Sequence, residues 1–366
     1  MRLSWTRFAR WSFPLAMMSG CFLAMAIRQQ SGRSARRTRF SWRGSQMPTN
    51  LSQSTPEVHF DGLETLWVQI TGTLCNLTCT HCFISCAPDN HALEFMSREQ
   101  IRDYIDEAAT LGVKEIYFTG GEPFLHPSAI EILGDALEVA PTGVLTNGVL
   151  ITERTAARLS EIADASLYSL EIRVSLDAPD EQANDAIRGL GVFRKALRGV
   201  RRLERAGLMP IVTACELVVE QGPDDVAMST DRPMEGPLPV GVNPELLPPP
   251  PSDDRFYNRF QSLLRDEGIK RPRLKILPVF NMGMLEGRRA DRLLTEDMLE
   301  DFDTGNLQCS SARLVAEDGV YACPILAGES GAKLPGNTLA EANKPISLYH
   351  PSCTTCFETG MTCRNY

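Results

Sequence analysis

Positive charge is in short supply in this chain: 37 Lys and Arg stand against 46 Asp and Glu, a net charge of −9. A polyanion such as nucleic acid is a poor partner for that balance. Lysine and both acids are missing from residues 1–56, which carry nine Arg, so the remainder stands near −18. A full membrane-length apolar run is missing from this lead as well. Trp11 to Ile27 is a mostly apolar stretch of 17 residues, with Arg2, Arg7 and Arg10 before it and six Arg from Arg28 to Arg43. It is compatible with a signal sequence, a short membrane anchor or a transit-type presequence. As an anchor, its heavier downstream positive flank would keep the main domain cytoplasmic, the expected location. The preferred reading is a start placed too far upstream, with Met47 opening the protein, because an arginine-only lead adds nothing to a core. Membrane contact is then expected only if residues 11–27 are retained. With only about 15 residues between Met47 and the first strand, no folded peptide-recognition domain is expected there, which tilts the reading towards a small-molecule substrate.

Cysteine is not scarce. Eleven are present, in an early group (Cys75, Cys79, Cys82, Cys86), a late group from Cys309 to Cys363, and two isolated positions, Cys21 and Cys215. A secreted disulfide framework fits poorly, because short-spaced cysteines in an enzyme-sized chain read as metal ligands in a reducing compartment. The run Cys75-x3-Cys79-x2-Cys82 supplies three closely spaced thiols. Four thiolates saturate a [4Fe-4S] cube. Three leave one iron open to a small molecule, and an open iron is a reaction site. Cys86 would close the set, but it reads as a nearby thiol, and Cys215, inside an apolar strand, reads as core.

From residue 60 the pattern alternates apolar strands with amphipathic helices. Strands are predicted at Leu66–Thr71, Glu115–Thr119, Gly143–Thr146, Leu170–Leu176, Pro210–Val218 and Leu274–Val279. Helices are predicted at Arg98–Leu111, Ser128–Val139, Glu153–Ala163, Val192–Arg205 and Phe256–Arg265. Six βα units imply an α/β fold with a parallel sheet, either doubly wound or curled into a partial barrel. Residues 222–253, rich in Pro and Asp, read as a loop insertion. Beyond Asn306, Ala312–Glu317 and Val320–Ile325 flank Asp318-Gly319, a favoured hairpin turn. The rest has too little apolar sequence for its own core and needs a staple such as a metal cluster. Three regions result: a basic and apolar segment over 1–56, a core over 60–292, and a cysteine-rich unit over 300–366.

The three-cysteine loop follows the first strand, at the end where parallel-sheet enzymes place their chemistry. The second strand ends in Thr119-Gly120-Gly121-Glu122-Pro123, whose glycines let a ligand approach the backbone. In the fourth strand Glu171, Arg173, Ser175 and Asp177 share one face and Ile172, Val174 and Leu176 the other. Strands of parallel sheets are usually apolar on both faces, so this polar stripe suggests a solvated interior lined for a ligand; an edge strand with one wet face is the alternative. Glu171 and Arg173 are the candidates for substrate contact, with Tyr117 behind them.

With these motifs in place the chain resembles the radical S-adenosylmethionine (SAM) superfamily over about residues 64–290. The resemblance implies a partial (β/α)6 TIM-like barrel and a [4Fe-4S] cluster on Cys75, Cys79 and Cys82, with SAM on the open iron. It assigns Gly120, Gly121, Glu122 and Pro123 to the SAM amino group. His81 stands where relatives often pack an aromatic residue near adenine. Thr146-Asn147-Gly148 is a further fitting piece, and the resemblance puts Ser175 and Asp177 near the ribose and Arg188 near the SAM carboxylate. The late cysteines, Cys309, Cys323, Cys353, Cys356 and Cys363, resemble the C-terminal SPASM/twitch extension. Five remain of its seven, which favours one auxiliary [4Fe-4S] cluster with four ligands and one spare. Zinc is the alternative at either site, and a zinc-bound scaffold is the non-enzyme reading.

The activity implied is reductive cleavage of SAM to a 5′-deoxyadenosyl radical, with an electron donor such as flavodoxin or ferredoxin, followed by hydrogen abstraction from a substrate. An auxiliary cluster would accept the resulting electron or bind the substrate. Oxidation or rearrangement of a small molecule is the preferred reading, and modification of a peptide or protein, as by a maturase, is the alternative.

Overall fold

The computed structural model describes residues 55–215, 254–286 and 293–359. The stretch 11–27, Met47, the insertion at 222–253, the expected strand beyond 215 and Cys363 lie outside the described residues. Within them, no helix is long and apolar enough to cross a membrane.

Six strands run parallel: β1 (Thr65–Gln69), β2 (Glu115–Thr119), β3 (Thr142–Thr146), β4 (Leu170–Ser175), β5 (Ile211–Cys215) and β6 (Arg273–Leu277). The C-terminal hairpin adds β7 (Ala312–Ala316) and β8 (Gly319–Tyr321). The sheet order is β6-β5-β4-β3-β2-β1-β7-β8, with β7 parallel to β1 and β8 antiparallel to β7. Among the described residues its two ends do not pair with each other, so the barrel is open. The second hairpin strand ends earlier than predicted, since Pro324, which lacks a backbone donor, starts a 3-10 turn at Pro324–Leu326. Two-residue strands at Glu57–Val58 and Ile346–Ser347 pair antiparallel and tie the entry of the chain to its late segment.

The crossovers are helices with legible starts. Ser97 caps α1 (Arg98–Thr110), Thr152 caps α3 (Glu153–Ala165) and Asp180 caps α4 (Glu181–Arg188), each accepting a backbone N–H from the first turn. Between α1 and α3 lies α2 (Ala129–Leu137). Helix α5 (Val192–Arg205) follows α4 through Gly191, and α6 (Asp254–Asp266) precedes β6. Helix α4 was not singled out from the sequence, yet it delivers Arg188 in its last turn.

Alternation along the strands divides the sheet into two chemistries. Leu66, Val68, Ile116, Phe118, Val144, Ile172, Val174 and Val212 enter one core shared with the helices. Burying each such side chain contributes roughly 1.5–3 kcal/mol. The outer face therefore supplies the cohesion and leaves the inner face free to carry polar groups. Trp67, Tyr117 and Leu314 belong to a separate inner cluster. Strand β4 lies between β3 and β5, so the edge-strand explanation of its polar stripe falls. The interior-lining explanation stands for Arg173 and Ser175, which line the barrel cavity.

Candidate active site and a second cysteine centre

The loop after β1 is clasped at its neck. Cys75 N–H donates to the Ala87 carbonyl at 3.1 Å, and Ala87 N–H returns to Thr73 at 3.2 Å. Further round, Thr80 N–H donates to the Ile187 carbonyl at 2.9 Å, and the Cys82 carbonyl accepts from Met284 N–H at 3.0 Å. Four contacts from three parts of the chain thus fix where the thiols stand. Leu77 N–H points at Cys75 Sγ (3.4 Å) and Cys86 N–H at Cys82 Sγ (3.2 Å). Cys86 is buried and also lines the cavity. Its thiol hydrogen-bonds Cys82 and pulls the Cys82 thiol below its ordinary range.

Burial pushes the Cys75 thiol up to about 12. It raises Cys79 to about 11, although the Arg188 guanidinium pulls the other way. Such thiols hold their protons until a cation is placed among them, and metal binding then releases those protons. Among the described residues, the group of three or more His, Cys, Asp or Glu whose ligand atoms all lie within 4.8 Å of one another is His81, Asp177 and Cys215.

Gly121 sets the distance between this loop and the end of β2. A Cβ there would lie 1.9 Å from the Leu74 carbonyl oxygen and 2.8 Å from Cys75 N, both backbone atoms. Gly120 beside it has φ +139°, in the range that favours glycine. Both glycines line the cavity, whereas Glu122 and Pro123 do not. The fully buried Glu122 carboxylate accepts from Thr146 Oγ1 (2.7 Å), Asn147 N–H (2.8 Å) and Phe124 N–H (3.1 Å). Burial raises its pKa and these bonds oppose the rise. Glu122 therefore binds the end of β2 to the end of β3, and the ligand-facing surface is left to the glycine backbone. Asn147 is set by the same carboxylate and donates to Asn76 Oδ1 at 2.7 Å.

The cavity enclosed by these elements has a volume of about 210 Å³. Its wall includes Cys75, Cys79, Cys82, His81, Asn147 and Arg188. Asp177 is brought close but stands behind this wall. Its fully buried side chain pairs with Arg188 Nε at 2.6 Å and His81 Nε2 at 3.1 Å, and accepts from Cys215 N–H at 2.9 Å. Burial pushes the Asp177 carboxyl upward, but Arg188 and His81 outweigh it and hold it well below the usual carboxylate range. Glu171 does not line the cavity either. It pairs with Arg173 Nε at 2.6 Å and with Arg273 at 3.6 Å. Tyr117 accepts from Arg173 at 3.1 Å, and its ring lies 4.6 Å from the guanidinium carbon. Of the three substrate candidates, Arg173 alone reaches the space, with the other two behind it.

Several lining residues escaped the sequence reading. Cys215, read as core, faces the cavity, as does Thr213 two positions earlier on the same strand face. Lys275 on β6 and Trp67 on β1 join them. The buried Trp67 Nε1, Thr213 Oγ1 and His81 Nδ1 have no hydrogen-bond partner, a pattern suited to a polar ligand.

A second cavity, of about 30 Å³, has Cys309, Cys323, Cys353 and Cys356 in its wall. Four of the five late cysteines thus converge from the hairpin and from α7 (Pro351–Thr359). Burial pushes Cys309 up to about 12 and Cys323 well above its ordinary range. Ile325 lies in the wall of this cavity and of the larger one.

Residues 70–226 match the sequence profile of the Radical SAM superfamily. The chain carries a radical SAM domain. Its sequence is 36% identical over 135 residues to the mycofactocin maturase MftC of Mycobacterium tuberculosis, covering 36% of this chain and 32% of that protein. It is 30% identical over 165 residues to a GTP 3′,8-cyclase of Psychromonas ingrahamii, covering 44% and 47%. The chain therefore spans about a third to a half of the curated relatives it matches. In fold, it is similar to SuiB of Streptococcus suis bound to the precursor peptide SuiA, with a TM-score of 0.51 at 13% identity over 74% of this chain and 62% of that one. It is also similar to anSMEcpe with bound AdoMet, with a TM-score of 0.50 at 17% identity over 76% and 79%. A radical SAM domain takes a [4Fe-4S] cluster and SAM, and the three cavity-lining thiols, bare Gly120–Gly121 backbone and unpartnered polar atoms fit both.

Proposed function

We propose that the chain is an enzyme that abstracts hydrogen from an organic substrate held in the barrel cavity and passes the substrate's electron to a second cluster. Ile325 carries this reading: its side chain lines both the barrel cavity and the four-cysteine cavity. Bound through Cys75, Cys79 and Cys82, the cluster with SAM supplies a 5′-deoxyadenosyl radical when a flavodoxin- or ferredoxin-type donor reduces it.

The chain's own residues do the rest. The Gly120–Gly121 backbone is open to the SAM amino group, with Asn147 beside it. Arg188, held by Asp177, offers a cation to the SAM carboxylate, and His81 and Ser175 face the nucleoside. Arg173 is held at the cavity wall by Glu171 and Tyr117, and with Lys275 it orients an acidic or carbonyl group of the substrate. The apolar packing of Phe83, Phe280 and Ile325 keeps water from the path between the centres. Cys309, Cys323, Cys353 and Cys356 would hold the second [4Fe-4S] cluster. Clusters and free thiols of this kind belong in a reducing compartment, the cytoplasm.

A peptide is the first substrate class to test, because relatives matched at 36% identity are maturases by name. A small molecule is the second, given the relatives named GTP 3′,8-cyclase. Incubation of anaerobic protein with SAM and dithionite, with and without short peptides encoded beside its gene, separates the two by mass. A peptide lighter by one or more hydrogen pairs is the expected result. No 5′-deoxyadenosine under any condition would refute the enzyme reading.

A further inference from the structure

The largest fully buried side chain among the described residues is an arginine. Arg313, on β7, has 0% exposure. Its Nε donates to the Ala342 carbonyl at 3.1 Å, its Nη1 to the Cys309 and Ala312 carbonyls at 2.9 and 2.8 Å, and its Nη2 to the Lys344 carbonyl at 3.1 Å. The Phe60 ring covers its guanidinium at 3.5 Å. Every one of these partners is neutral. The two other buried arginines behave differently, since Arg173 pairs with Glu171 and Arg188 with Asp177. Among the described residues Arg313 pairs with no carboxylate.

A guanidinium keeps its proton in proteins, so it cannot escape burial by going neutral. Carbonyl dipoles satisfy its N–H groups and leave the net charge uncompensated. The groups that act on its charge and can become anionic are thiols. Cys309 and Cys323 act electrostatically on Arg313, and both lie in the wall of the second cavity with Cys353 and Cys356. Four thiolates around a [4Fe-4S]2+ core sum to a charge of −2, and one-electron reduction takes it to −3. A fixed neighbouring cation stabilises the reduced form more than the oxidised one.

We propose that Arg313 is the built-in counter-charge of the centre at Cys309, Cys323, Cys353 and Cys356 and holds its reduction potential up, making it an electron acceptor. The proposal rests on the reading of that cavity as a cluster site. Arg313 is a positioning residue, since it touches the Cys309 backbone and no reacting atom.

The test is a potentiometric titration, read by electron paramagnetic resonance, of full-length protein reconstituted without SAM or substrate. Wild type is compared with Arg313→Gln, which removes the charge, and Arg313→Lys, which keeps it and disturbs the fold less. In Arg313→Gln the second centre should become harder to reduce. Its oxidised-to-reduced ratio at fixed applied potential should rise about tenfold, which is ~59 mV for a one-electron couple. Arg313→Lys should stay within about threefold of wild type, and the first cluster should not move in either variant. An unchanged potential in Arg313→Gln with both clusters intact would overturn the counter-charge alone, as would a drop in Arg313→Lys as large as in Arg313→Gln. A wild-type protein that holds only one cluster would overturn the cavity reading with it, while 5′-deoxyadenosine release would still stand as a separate test of the barrel site.

Discussion

Replacing Asp177 with Asn strands a cation inside the barrel. The Asp177 side chain is 0% exposed and that of Arg188 9%, and they meet at 2.6 Å. An asparagine can keep accepting from Cys215 N–H through its amide oxygen. Its NH2 group then faces Arg188 and His81, so donors oppose donors. Removing one partner of a buried pair costs about 3–5 kcal/mol. At 1.36 kcal/mol per decade this is a factor of ~10² to above 10³ in the folding constant. Removing the stranded charge as well, in Asp177→Asn/Arg188→Met, should recover part of the loss, with a coupling of roughly 0.5–3 kcal/mol. The assay is urea unfolding of anaerobic protein at neutral pH, comparing midpoints of the four members of the cycle. The sign with pH follows from the lowered folded-state value of Asp177. Its stabilisation is present above the unfolded carboxylate pKa of ~3.9 and is lost as pH falls through the folded value. The deficit of Asp177→Asn should therefore close under acid. Strictly additive losses in the double variant would refute the argument, as would a deficit that widens as the pH is lowered.

Cys79→Ala should abolish 5′-deoxyadenosine formation and lower bound iron from about eight to about four per chain; continued release of 5′-deoxyadenosine would show the ligand set to be wrong. Cys353→Ala should lose a similar amount of iron and the final product yet still cleave SAM, which chromatography of the nucleoside fraction reads directly. In Gly121→Ala the added methyl meets the Leu74 carbonyl at 1.9 Å, so the two loops must part. An overpacking cost of about 1–3 kcal/mol follows, with poorer cluster retention, and a variant with wild-type melting and iron content would discount the close approach.

The alternation of β4 was legible in the sequence because period 2 reports a two-faced environment, and the glycine pair was legible because it closes a strand. What each side chain does was harder to read. Glu122 and Asp177 sit inside ligand-binding motifs, yet both are spent on bonds between strand ends and loops. Neither role has a local signal, since Thr146, Cys215 and Arg188 reach them only after folding. Cys215 was mistaken for core because its neighbours are apolar; pairing it with Thr213 at spacing two would have placed it on the cavity face. Arg313 was invisible. The carbonyls of Ala342 and Lys344 arrive some thirty residues later, and a charged residue in a short strand otherwise reads as solvent-facing.

The parallel pairing of β7 with β1 has a consequence for how little of the chain can be kept. Thr65 to Val68 use one flank for β2 and the other for β7. A shortened chain ending before Ala312 would bare that flank as an unpaired ladder, the kind of template on which proteins stick to one another. Because the three-cysteine loop begins a few residues past Gln69, the smallest fragment expected to stay monomeric with that loop in order must include the hairpin.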